Sequence, residues 1–443
     1  MADPLSQTEI SSLSRGVQGT PWHLVSVDVF DRPGAGARLG IDELRARVLD
    51  RLPYAPRFRQ RVREAVTGLD WVDDPDFDID RHLHQVTVAA PGQLGQVTEL
   101  VAQGLSEALD PLHPQWDLML VDGLVGGQVA LVCRYHPALV DGGAQVHLLH
   151  ELYDERPTAQ VPQPQPWTPA PAPNPGDDLV SGVVGGLQDP LGLLGRVSAR
   201  VARGMERGVE LLQHQGVPRV FRNQPVVPTS RYAGGAVVPL AAVNRVRDFA
   251  GCTTHDVLVA LVVAGLRQWQ TQLGADPADV VALVPLAVQQ RKGAASSVGC
   301  QVAPQFVTLP VQASSPQGRI DQIASLTRSR IDSGYTVGAD DLTRLSGFAP
   351  PTLHALAART VTSGRAHDVL VSNAPGPRGR RYLGEWQLHA SYPLAGLADN
   401  QDVTVSITSY DGRVCFGVAA AAPVQSLVDG ITAELNRLDG GRR

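Results

Sequence analysis

An α/β fold in two domains is what this sequence predicts, and three observations carry the prediction. Apolar, β-branched runs at 129–135 (VALVCRY), 280–288 (VVALVPLAV) and 403–410 (VTVSITSY) read as buried strands. They alternate with stretches whose apolar residues recur at helical spacing, among them 41–52 and the VLVALVVAGL run from Val257. Residues 155–176, RPTAQVPQPQPWTPAPAPNPGD, are dense in proline and poor in apolar anchors, the signature of an extended linker. With 443 residues, 43% of them hydrophobic, the chain is long enough for two substantial cores. The expected division is 1–154, a linker over 155–178, and 179–443.

Taken in order, HLVSVDVF (23–30) alternates as a strand does, and a helix over 41–52 follows. The basic run around Arg57, Arg59 and Arg61 suits a phosphate site, although a solvated helix face is the commoner outcome. Residues 93–109 read as a helix. Trp116 then places a large apolar face beside a strand, suited to lining a channel or to core packing. The strand 129–135 ends in a sharp polar turn, His136-Pro137-Ala138-Leu139-Val140-Asp141-Gly142, and Val146, Leu148, Leu149 and Leu152 open a helix after it.

Past the linker, 179–212 is glycine-interrupted but amphipathic, with Arg196, Arg200, Arg203 and Arg207 interleaved. It reads as packing across a domain interface in preference to lying on lipid. A strand is expected at 236–240. Thr253 with Asp256 three residues on forms a capping box at the start of the next helix. Strands at 280–288 and 301–310 follow, then a tight Pro-Gly reversal at 374–377 behind Ser372 and Asn373, a strand at 403–410 and a final helix over 424–438.

Composition narrows the function. The formal net charge is -6 and the pI about 6.1, so no basic field draws nucleic acid or an anionic membrane. Positive charge is almost all arginine, with Lys292 the single lysine. Cys133, Cys252, Cys300 and Cys415 are far apart and show no metal-ligand spacing, so no metal is expected and reduced thiols in a cytoplasmic protein fit best. The N-terminus has no secretory pattern. No apolar run approaches the roughly 20 residues that span a bilayer, which leaves peripheral membrane contact at most.

The turn HPALVDG resembles the HHxxxDG signature of the chloramphenicol-acetyltransferase-like superfamily, which includes peptide-synthetase condensation domains and the wax ester synthase/diacylglycerol acyltransferase family. The blocks LPYAPRFRQR (52–61), WVDDPDFDIDRHLH (71–84), PQWDLMLVDGL (114–124) and SNAPGP (372–377) resemble that last family specifically. The resemblance runs from about residue 8 to residue 438. It implies two chloramphenicol-acetyltransferase-like domains, each a mixed sheet flanked by helices, with a channel at their interface. It also implies a thioester donor, acyl-CoA or carrier-bound, as co-substrate, an alcohol or amine acceptor, an acyl carrier protein as a further partner, and no tightly bound cofactor.

In the resembling family the second histidine of the signature is the general base and the aspartate holds the loop. Here Pro137 occupies the place of the base, and proline can neither give nor take a proton. The candidate catalytic residues are accordingly His136, Asp141 and His255, the last being a histidine gained where the family shows Asn-Asp. The resemblance places Trp116, Pro137, Gly142, Asp256, Gln289, Cys300, Ser372, Asn373 and Thr404 along the channel. Pro137, His255, Gln289, Cys300 and Thr404 are all departures from the family pattern. Three readings follow: an acyltransferase with a weakened or relocated base, a scaffold turned to amide formation or cyclisation on a thioester-linked intermediate, or a binding homologue without turnover.

Overall fold

Alternating burial along the strands explains the architecture. The structure, a computed structural model of the chain, describes residues 3–5, 9, 13, 21–65, 68–140, 148–171, 231–288, 301–332, 368–377, 379–397 and 401–440. The first half builds β1 (Asp3–Pro4), β2 (Leu24–Asp31), α1 (Ile41–Arg51), β3 (Gln60–Ala65), β4 (Gly68–Asp73), β5 (Leu83–Thr87), α2 (Leu94–Gly104), β6 (Trp116–Asp122), β7 (Val129–Tyr135) and α3 (Leu148–Leu152). The second builds β8 (Tyr232–Pro239), α4 (Leu240–Ala250), α5 (Thr254–Gln272), β9 (Val280–Val288), β10 (Gln301–Leu309), α6 (Pro316–Asp332), β11 (Val369–Pro375), β12 (Tyr382–Leu383), β13 (Trp386–Ala395), β14 (Val403–Tyr410), β15 (Arg413–Ala420) and α7 (Gln425–Gly440). The strands expected at 129–135, 280–288 and 403–410 are present to the residue. The helix expected over 93–109 stops at Gly104, where Arg134 from β7 donates to the carbonyls of Gly104 and Glu107 and ends it.

Two six-stranded mixed sheets dominate, ordered β12-β13-β2-β7-β6-β5 and β10-β9-β11-β14-β15-β8, beside a small sheet β1-β4-β3. Sheet membership does not follow chain order. β12 and β13 lie beyond the proline-rich stretch, yet β13 pairs antiparallel with β2, Leu394 opposite Val25, and completes the first sheet. The described part of the expected linker, up to residue 171, has no helix or strand but is fastened along its length. Asp154 and Tyr382 exchange backbone hydrogen bonds of 2.8 and 2.9 Å, Thr158 N donates to Gly384 O at 3.0 Å, and the Arg59 guanidinium sits 4.8 Å over the Trp167 ring.

Each sheet has two working faces. In the first, Leu24 and Phe30 of β2, Leu131, Cys133 and Tyr135 of β7 and Trp116, Leu118 and Leu120 of β6 form one core with α1 and α3. Val25, Val27, Val29, Ala130 and Val132 point the other way, onto α2 and onto Cys415 and Ala419 of β15. The second sheet turns Val369, Val371, Val403, Val405 and Ile407 toward α5 and α7. Its opposite face meets the first sheet. Contact there is close enough to require glycine, since a Cβ on Gly417 would lie 1.8 Å from the carbonyl oxygen of Pro393 on β13.

Two polar features depart from ordinary burial. Arg57 and Arg59, expected on a solvated helix face, are only 3% and 4% exposed, because Pro56–Arg59 is a short 3-10 turn packed beneath Trp71 and Trp167. Arg319 of α6 forms a buried ion pair with Glu434 of α7 and also donates to Ala313 O at 2.6 Å, tying the two helices together. Among the described residues no single helix is long and apolar enough to cross a membrane. The α4–α5 pair has the composition but bends by 105° and buries its apolar residues in the second core.

Candidate active site

The motif turn sits where the two halves meet. β7 delivers it from the centre of the first sheet, and after Tyr135 the chain tightens into a 3-10 turn, Pro137–Val140, with all four residues buried. Ala138, Leu139 and Val140 belong to the same buried core as Leu283 of β9 and Leu370 of β11, a core that draws on both sheets.

His136 is committed to holding this turn. Its backbone N–H donates to Gln115 O at 2.9 Å, and its Nδ1 accepts the backbone N–H of Ala138 at 3.1 Å. That bond assigns the ring proton to Nε2. Burial pushes the imidazole pKa down to about 4, so the ring is neutral at pH 7. A histidine whose Nδ1 lone pair is occupied by the backbone braces the loop. Pro137, one residue on, has no group that can take a proton.

A second histidine, which sequence reasoning missed, stands beside the first. The β2–β7 ladder ends with Leu24 opposite Tyr135, so His23 and His136 lie just beyond its end on neighbouring strands, near enough for His136 to act on the His23 ring. His23 is 3% exposed, and its Nδ1 has no hydrogen-bond partner among the described residues. Burial, then the nearby Arg134 guanidinium, then His136 push its pKa down to about 3. Its backbone is pinned on the other side, where Gly396 N donates to His23 O at 2.7 Å. The signal for this proximity is the strand register, which no local motif displays.

The inner face of the second sheet supplies hydroxyls. β11 and β14 run parallel with Leu370 beside Thr404, Ser372 beside Ser406 and Ala374 beside Thr408. Ser372 Oγ donates to Ser406 Oγ at 3.3 Å, and both are buried. Alternation puts Asn373 on the other face with Val371, so the two residues of the Ser-Asn pair part company. Thr404 Oγ1 donates to Ala395 O at 2.7 Å, stitching β14 to the end of β13.

Other candidates are accounted for by local structure. Asp256 accepts from Thr253 N at 2.8 Å while Thr253 Oγ1 accepts from Asp256 N at 3.1 Å, and Thr327 donates to the other carboxylate oxygen at 2.6 Å. This is the capping box expected from the sequence, with both oxygens occupied. His255 lies half-buried in the first turn of α5. Burial lowers its pKa, the adjacent Asp256 raises it, and among the described residues no hydrogen bond links it to His136 or His23. Trp116 is enclosed: His82 stacks on it at 4.4 Å, Phe58 meets it edge-on at 5.6 Å, and its indole N–H donates to Phe58 O at 2.7 Å. Asp141, Gly142, Gln289 and Cys300 lie outside the described residues.

One further buried carboxylate was not anticipated. Asp28 on β2 accepts from Ser26 Oγ at 2.9 Å and Tyr153 OH at 2.7 Å, and burial raises its pKa against the opposing effect of these donors and of Ser391. It ties β2 to β13 and to the segment after α3. Among the described residues no group of three His, Cys, Asp or Glu side chains converges as a metal site.

The site can be set beside known proteins. Residues 5–258 match the wax ester synthase/diacylglycerol acyltransferase catalytic domain model, and residues 298–439 match the WS/DGAT C-terminal domain. Two Mycobacterium tuberculosis proteins, the candidate diacylglycerol O-acyltransferases Rv3087 and Rv3740c, are similar in sequence. The first is 30% identical over 82% of this chain and 80% of its own, the second 26% identical over 98% and 99%. The wax ester synthase/diacylglycerol acyltransferase from Marinobacter aquaeolei VT8 has the same fold, with a TM-score of 0.71 at 21% identity over 99% of both chains. The starter condensation domain of rhizomide synthetase RzmA, solved with C8-CoA, matches at a TM-score of 0.51 and 12% identity over 99% of this chain and 94% of its own. The fold is therefore the mixed α/β, chloramphenicol-acetyltransferase-like one that condensation domains also adopt, and the chain is an acyltransferase-family protein. With more than half its length matched by the catalytic-domain model, the chain belongs to the wax ester synthase/diacylglycerol acyltransferase family.

Proposed function

We propose that this protein transfers an acyl group from a thioester, acyl-CoA or carrier-bound, to a hydroxyl or amine acceptor, without the imidazole that the family keeps at position 137. The observation that carries the proposal is the described part of the motif turn, residues 136–140, buried in a core that draws on both sheets with His136 braced inside it. Acyl-CoA as donor is supported by the C8-CoA in the condensation-domain structure.

The chemistry is direct attack. The acceptor oxygen or nitrogen adds to the thioester carbonyl, the new C–O or C–N bond forms, the C–S bond breaks, and the acceptor's proton ends on the departing sulfur. Holding both substrates in one dry site contributes several kcal/mol of the order of about 7–11 at best. Loss of the base at 137, with no other group in its place, costs about a hundred- to ten-thousand-fold. An unprotonated amine suffers least from that loss, so the proposed acceptor class leans toward amines. The division into 1–154 and 179–443, with β12 and β13 returning to the first half, belongs to this proposal, as does action in the cytoplasm, where acyl thioesters are made.

A second reading has its own support: His136, Asp256 and Thr404 all spend their polar atoms on structural bonds. In that reading the scaffold performs amide formation or cyclisation on a thioester-linked intermediate, or binds without turnover. One experiment separates them. Full-length protein is incubated with decanoyl-CoA and 1-decanol, a diacylglycerol or decylamine, and free thiol and product are measured for wild type and Pro137→His. Transfer to 1-decanol or diacylglycerol by the wild type supports ester synthesis, transfer to decylamine alone supports amide formation, and ester formation confined to Pro137→His shows a scaffold that has left lipid ester synthesis. Absence of acceptor-dependent thiol release from both proteins refutes acyl transfer.

A further inference from the structure

We propose that His23 is the residue that receives the hydrogen bond, and in the transition state the proton, of the acceptor's nucleophilic O–H or N–H. This inference rests on the acyl-transfer reading above and names the group that does what Pro137 cannot.

The placement follows from strand pairing. His23 lies just beyond the end of the β2–β7 ladder, near His136, and alternation puts it on the face that carries Val25 and Val27. That face meets β15 and the start of β14, where Thr404 bonds Ala395 at the end of β13. Gly396, the next residue, bonds His23 through the backbone. His23 thus sits at the end of the first sheet that abuts the inner face of the second, beside the motif turn.

The chemistry follows from what is spent and what is free. His136 Nδ1 is taken by Ala138, both Asp256 oxygens are taken by the capping box and Thr327, and the Thr404 hydroxyl donates to Ala395. Among the described residues His23 Nδ1 and Thr408 Oγ1 are buried without a hydrogen-bond partner near these groups, and of the two only the imidazole nitrogen can take up a proton. Buried polar atoms of native proteins nearly always have partners, so a vacant one calls for an explanation. A ligand that donates to it is one. The ring stays neutral at working pH, which keeps a nitrogen lone pair available.

In the step this assigns, the acceptor's O–H or N–H points at His23 Nδ1 as its oxygen or nitrogen adds to the thioester carbon. The proton moves to Nδ1 while the C–O or C–N bond forms. As the C–S bond breaks, the thiolate takes that proton and leaves as the free thiol. Thioester and acceptor become ester or amide plus thiol, with the imidazole neutral before and after. A ring that holds a proton poorly passes it on within the same event.

The test uses the full chain with decanoyl-CoA and either 1-decanol or decylamine, comparing wild type, His23→Ala and His23→Asn. Asparagine retains an acceptor near the place of Nδ1 but cannot carry the proton, and matching circular dichroism and melting curves establish that a variant is folded. Expected is a fall in acceptor-dependent kcat of about tenfold to a hundredfold in His23→Ala, at or below the low end for a general base because the ring is a weak one, an unchanged KM for decanoyl-CoA, a smaller fall in His23→Asn, and recovery of His23→Ala by added imidazole. Equal acceptor-dependent rates in the wild type and in either folded variant overturn the inference. If the wild type releases no thiol, the acyl-transfer reading falls separately, and His23 is then read by nitrogen NMR of histidine-labelled protein. Addition of 1-decanol must shift the His23 Nδ1 resonance toward its hydrogen-bonded position, and an unmoved resonance overturns the assignment.

Discussion

Lowering the pH from 7 to 5 should destabilise this protein through two neutral rings packed at one strand end. His23 and His136 are buried, with pKa values pushed down from 6.5 to about 3 and about 4. In the unfolded chain each regains its ordinary value. The folded-state pKa is the lower one, so the unfolded state binds protons first and stability is lost as pH falls. The loss begins near 6.5 and ends for each ring at its folded value. At pH 5 one and a half pH units have been crossed, and at about 1.4 kcal/mol per unit each ring removes about 2 kcal/mol, about 4 together. Urea unfolding at pH 7, 6 and 5 measures this directly. His136→Asn, which offers an oxygen to the Ala138 N–H, should flatten the profile by about one proton, and the His23, His136 double substitution by about two. His82 and His255 add to the same slope and remain in every variant, so the difference isolates the pair. Identical slopes in wild type and double variant would show that these rings are not held neutral by burial, and the reasoning about the turn would fail.

Three further outcomes are expected. Arg319→Ala leaves Glu434 buried and without its main partner, and should lower unfolding free energy by about 3–5 kcal/mol in urea titrations. Gly417→Ala forces a methyl group onto the Pro393 carbonyl, and a loss of at least about 3 kcal/mol, or failure to accumulate as soluble protein, should follow because the two sheets must separate. Tyr153→Phe withdraws one of the donors on Asp28 and should cost about 1–3 kcal/mol at pH 7, a cost that shrinks in acid as the Asp28 carboxyl, whose pKa is raised, becomes protonated in the folded state.

Local patterns made much of this molecule legible. The strands at 129–135, 280–288 and 403–410 announce themselves by short runs rich in apolar and β-branched residues, and the Thr253–Asp256 box closes as its spacing says it should. His136, a catalytic candidate in the sequence, shows its bracing bond to Ala138 only in the fold. What local reading misses is set by residues far apart in the chain. Arg57 and Arg59 look like surface charge until Trp71 and Trp167 close over them, and the second of those tryptophans comes from within the proline-rich stretch. His23 looks like a strand-leading residue with no motif around it, and its importance appears only when the ladder brings its end beside His136. Asn373 and Ser372 read as one unit in sequence but are separated by the pleat.

The return of β13 to the first sheet has a bearing on how the chain is made. Until residue 395 has left the ribosome, β2 has only one neighbour, and its other edge, eight residues of mostly apolar strand, is open to any passing chain. The amino-terminal half is therefore no autonomous module. Expressed alone it should self-associate, and supplying the segment 382–397 as a separate peptide should cap the open edge and restore a monomer.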